Sequence, residues 1–90
     1  MPVRIFKTDT NGSSGAWVAL DSTFNSNVSL VIQNLSGATC LLASSSSPAT
    51  GQNWQLVSGA APLEFRGNPA EVFARAEGAT GVTIKVLADW

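Results

Sequence analysis

The side chains in this 90-residue chain that could do chemistry are six carboxylates (Asp9, Asp21, Glu64, Glu71, Glu77, Asp89), one thiol (Cys40) and many serines; histidine and tyrosine are absent. Without histidine, the commonest general base and most nucleophile–base–acid triads are missing. The serine run 44–47 reads as a flexible polar loop, and no Gly-x-Ser-x-Gly elbow frames any serine as a nucleophile. Glycoside hydrolysis needs two carboxyl groups held facing each other across a cleft. Glu64 and Glu71 are only loosely close in sequence, and a thin sandwich of this length leaves little room between them. The chain therefore reads as a non-enzyme.

Metal and cofactor chemistry fare no better. A single cysteine allows neither an internal disulfide nor a four-thiolate site, and Cys40 sits in the apolar run 39–43 as a small buried hydrophobe. The segment 9–12 resembles the start of a calcium loop, but the later ligands and the closing bidentate glutamate are missing, so it reads as a polar turn. No cofactor is expected. The three Asn-x-Ser sequons, at Asn11, Asn27 and Asn34, reflect turn composition.

That leaves the aromatic residues. Trp17 and Trp54 fall in strand-like segments, where core packing is the ordinary role of an indole. The other role is a glycan platform, which needs one of these rings exposed on a sheet face beside convergent polar groups. Trp90 ends the chain, and an indole is costly to leave in water, so it is expected to dock on its own domain or a neighbour. Val3, Ile5 and Phe6 give the other end more apolar surface than a free arm can hide. Together with Trp90 they form the candidate interface, with residues 1–7 a partner-contacting arm.

Short apolar segments alternate with Gly/Ser/Asn breaks at near-regular spacing, the pattern of a sandwich or barrel. Strands are expected at 3–7, 16–20, 28–34, 39–43, 53–57, 63–65, 72–76 and 82–88. Alternation is clearest where Val82, Ile84 and Val86 oppose Thr83 and Lys85, and where Val28, Leu30 and Ile32 oppose Ser29 and Gln33. Segment 68–78 conflicts with this. Asn68, Pro69, Glu71 and Gly78 spell a capped helix. A helix so short is marginal on propensity, and the segment runs through a short link into a confident strand, so strand is preferred. The fold expected is all-β: one domain over 1–90, a small antiparallel β-sandwich or jelly-roll-like barrel of about eight short strands.

Composition bounds the partners. The chain is 44% hydrophobic and 12% charged, about half the usual charged fraction. A polar but weakly charged surface is cheap to desolvate against another protein, which favours a subunit of an assembly. Five scattered basic residues against six acids offer no clustered cations for nucleic acid or an anionic membrane surface. No apolar stretch is long enough to span a bilayer. Residues 1–7 lack a signal-peptide core, so synthesis in a cytosol is expected.

The run Val28-Ser29-Leu30-Val31-Ile32-Gln33-Asn34-Leu35-Ser36-Gly37, the Ser/Pro loop, the strand around Trp54 and the ending 72–86 together resemble small tailed-bacteriophage virion proteins. The likeness covers about 28–86 and is one of strand and loop style, with no diagnostic motif and no functional residue to carry over. It implies a compact β-sandwich located in the virion and made in the host cytoplasm. Such proteins decorate or cement a capsid, or sit on tails and fibres. The reading chosen is a cement or decoration subunit that binds a major capsid or other virion protein as a small homo-oligomer such as a trimer. The alternative is a glycan- or receptor-binding module of a phage tail or fibre.

Overall fold

The computed structural model describes residues 3–12, 14–48, 51, 53–57, 59 and 61–89. Among these residues eight strands form: β1 (Val3–Asp9), β2 (Val18–Ala19), β3 (Val28–Asn34), β4 (Cys40–Ala43), β5 (Trp54–Leu56), β6 (Leu63–Gly67), β7 (Phe73–Ala76) and β8 (Thr83–Asp89). Each lies within or beside an expected segment. No helix forms among the described residues.

The strands make two four-stranded antiparallel sheets, A in the order β1-β8-β3-β6 and B in the order β2-β7-β4-β5. Both sheets follow from one long antiparallel ribbon. Strand β1 pairs with β8, β2 with β7, β3 with β6 and β4 with β5, and the doubled ribbon then rolls so that β3 meets β8 and β4 meets β7. This is the two-Greek-key jelly roll. The expected all-β sandwich is thus present in its jelly-roll form.

Alternation fills the space between the sheets. Val28, Leu30 and Ile32 of β3 and Ile84, Val86 and Ala88 of β8 point inward from sheet A, meeting Cys40, Leu42, Leu56, Ala74 and Ala76 of sheet B in one buried cluster. The large β-branched and leucine side chains on A face small alanines on β7, which lets the layers interdigitate. Cys40 is fully buried and unpaired, as its apolar neighbours suggested. Burial pushes its thiol up to about 11, a backbone hydrogen bond from Arg75 offsetting part of the rise, so it stays protonated at neutral pH.

Polar side chains tie the layers at their ends. Thr8 Oγ1 donates to the Leu20 carbonyl at 2.6 Å, joining β1 to the segment after β2. Asn34 Nδ2 donates to the Leu56 carbonyl at 2.9 Å, joining β3 to β5. Arg4 meets Asp21 at 2.7 Å and lies 5.5 Å from the centre of the Phe24 ring. Where the β1–β2 and β7–β8 loops cross, a Cβ on Gly81 would collide with the Thr10 carbonyl, so only glycine fits.

The helix-like signals in 68–78 have another use. Ala70 N donates to Asn68 Oδ1 at 3.0 Å and Glu71 N to the Asn68 carbonyl at 2.8 Å, closing a turn. An Asx turn and an N-cap use the same bond from the side-chain oxygen. Here the chain leaves the turn as β7 because Phe73–Ala76 finds a ladder on β4.

Candidate binding surfaces

Two surfaces on this frame differ from an ordinary polar exterior. The first is the outer face of sheet A. Strand register stacks its outward side chains in rows: Lys7, Lys85 and Gln33; then Ile5, Leu87, Val31 and Glu64; then Val3, Asp89, Ser29 and Arg66. The middle row carries three aliphatics across three adjacent strands, and Ile5 is 61% and Val3 57% exposed. Ile5, Leu87, Val31 and Pro62 line a shallow depression of about 250 Å³. A row with Lys7 and Lys85 lies on one side of it, and on the other a row with Asp89 at its middle and Arg66 at its β6 end. Asp89 Oδ1 is shielded from solvent yet has no hydrogen-bond partner among the described residues. Among the described residues, strand β1 pairs only with β8, which leaves its other edge open over seven residues.

The second surface is the mouth between edge strands β5 and β6, a cleft of about 1140 Å³. Trp54 and Leu56 share the inner face of β5, yet Leu56 is 5% exposed and Trp54 73%. The difference lies in what each faces. Leu56 sits opposite Cys40 inside the sandwich, whereas Trp54 sits where the inner face runs out into the cleft. Phe65 and Val72 give the cleft apolar walls, while Asn53 and Glu71 bring amide and carboxylate groups. The Arg66 guanidinium is steadied by Ser29 Oγ at 3.3 Å and the Asn27 carbonyl at 3.4 Å. Glu64 and Arg66 also border the cleft, but both alternate with the inward Leu63 and Phe65 and stand on the outer face of sheet A.

The sequence-derived residues fall in separate places. Val3 and Ile5 stand outward on β1, which is an edge strand of the domain's own sheet and not a free arm. Phe6 alternates to the inner side and packs against the core. Trp90, Met1 and Pro2 lie outside the described residues. Trp17 is half-buried on the outer side of sheet B, with the Arg75 guanidinium 4.8 Å from its ring centre. Trp54 departs from core packing and is exposed.

Leu87, Val31 and Lys85 were not among the candidates, although the signal was present. Leu87 shares the parity of Thr83 and Lys85, and Val31 that of Ser29 and Gln33, so each is a hydrophobe at a polar position. The cleft walls carried no such signal, because alternation does not say which strands end a sheet.

No protein family, curated protein or solved structure matches the chain.

Proposed function

We propose that the chain is a non-enzymatic structural subunit of a virion, a decoration or cement protein that works by protein–protein contact through the outer face of sheet A. The observation that carries this reading is the Ile5–Leu87–Val31 row, an aliphatic stripe crossing three strands on a face that alternation would otherwise make polar. The low charge of the chain lowers the cost of covering that face. Cement action is mass action: interface buried only in the assembled shell stabilises the shell over its separate parts.

The charge rows favour a second copy as the first occupant and choose its orientation. A two-fold axis along the strands would set Lys85 against Lys85. A two-fold axis across the strands, along the Ile5–Leu87–Val31 row, sets Leu87 on Leu87 and each Lys85 over the other copy's Asp89, and leaves its one like-charge pair, Glu64 with Glu64, at the exposed rim on edge strand β6. Lys85 and Asp89 stand about 14 Å apart along β8, with Leu87 midway. The face measures roughly 19 by 24 Å from strand spacing and rise. A pair would then bury on the order of 1,000 Å², the lower end of specific interfaces. Such a pair presents two equivalent free sides, able to bridge two shell subunits.

The test is addition of the protein to shells assembled without it. Bound chain should raise the shell melting temperature, and Ile5→Glu should remove both binding and the rise. Shells that neither bind the wild-type chain nor gain stability from it would refute the reading.

A further inference from the structure

We propose that the cleft between β5 and β6 binds an uncharged saccharide, stacked on the exposed ring of Trp54. This goes beyond the structural role and uses a different surface. The two described tryptophans make the case by contrast. The Trp17 ring is already covered by a guanidinium, at 4.8 Å from its centre. Trp54 is 73% exposed at the lip of a cleft, and among the described residues no cation lies over its ring. An indole in that state offers a flat, polarisable, apolar face, and the C–H face of a pyranose is its chemical complement.

The rest of the cleft fits the same ligand. Its volume, about 1140 Å³, exceeds the roughly 300–1,000 Å³ of a drug-sized site, which leaves room for more than one ring. Apolar walls from Phe65 and Val72 meet hydrogen-bonding groups from Asn53 and Glu71. That mixture suits a molecule with apolar faces and a rim of hydroxyls.

Charge narrows the class. Glu71 is the carboxylate inside the cleft and Arg66 is held on the outer face by Ser29, so the cleft offers no cationic cradle for uronates, sialylated glycans or nucleic-acid phosphates. A peptide added as a strand to β5 would find only three residues, between Gly51 and Gly59, both at positive φ.

The experiment probes a printed panel of neutral and acidic glycans with the labelled full chain. Tryptophan fluorescence titrations follow, with the best neutral and best acidic oligosaccharides, up to about 10 mM, the range in which weak sites saturate. The expected result is saturable binding of a neutral oligosaccharide, lost at least tenfold in Trp54→Ala and retained in part in Trp54→Phe. Both variants should keep the wild-type circular dichroism spectrum and oligomer mass. No neutral glycan bound, an acidic glycan preferred, or binding unchanged in Trp54→Ala would each overturn the proposal. So would an oligomer broken by Trp54→Ala, which would make the cleft a protein contact.

Discussion

The outer face of sheet A and the β5–β6 mouth both expose large apolar side chains, for opposite reasons. On sheet A, β1, β3 and β8 each run seven residues and are paired along nearly their whole length. Side-chain direction there is fixed by the ladder, and Leu87 is outward because its parity is outward. In sheet B the strands run two to four residues. Trp54 has the inward parity of the buried Leu56 and is exposed because the layer it faces has ended. One surface is a flat product of complete pairing, the other a concave product of incomplete pairing. A flat aliphatic stripe suits another protein, while a concave aromatic lip suits a small ligand.

The largest effect that separates the two regions is on stability. Ile84 is fully buried near the start of β8, so Ile84→Ala should cost about 2–5 kcal/mol in a denaturant melt, a large share of the total for so small a domain. Trp54→Ala removes a bigger side chain yet should change stability by no more than about 0.5 kcal/mol, because the ring is already in water. A Trp54→Ala variant as damaged as Ile84→Ala would erase the distinction between stripe and mouth.

Hydrogen exchange sharpens the same contrast. Backbone amides of β3 and β8, both inner strands of the long sheet, should exchange slowest, and those of β2 and β5, short edge strands, fastest. Uniform protection across both sheets would show that ladder length does not set local stability.

The smallest effect concerns the tie between β1 and sheet B. Burial raises the Asp21 carboxyl, but hydrogen bonds from the Thr23 hydroxyl and amide, with the nearby Arg4, outweigh it and hold the group below its usual 3.8. A lowered folded value means that the contribution is complete above the unfolded value and lost as pH falls through the folded one. Asp21→Asn should therefore lower the melting temperature slightly at neutral pH, with the gap to wild type closing below pH 3.8. A gap that persists in acid would assign the effect to packing.

Much of this molecule is legible from its sequence. All eight strands are, because turn residues punctuate period-2 runs and few long-range choices compete with them. The cap-like Asn68 misleads only locally, since a turn and an N-cap begin with the same hydrogen bond and a neighbouring strand decides between them. Trp54 was legible as strand and as inward, and its exposure was not. Exposure depends on where sheets A and B stop overlapping, which is a property of the rolled ribbon. Phe6 likewise joins Val3 and Ile5 in composition but parts from them by parity. The stripe was legible through Leu87 and Val31, two hydrophobes out of phase, once register aligned them with Ile5.

The central claim, that the outer face of sheet A is a protein-contacting surface arranged by its charge rows, is tested most directly by light scattering across a concentration series. The series compares wild type, Lys85→Glu and the double change Lys85→Glu/Asp89→Lys. The wild-type mass should rise with concentration toward twice the 9.3 kDa of one chain, Lys85→Glu should stay monomeric, and the charge-swapped double variant should associate again. A wild-type chain that stays at 9.3 kDa throughout, or a single variant that associates as well as the wild type, would contradict the account.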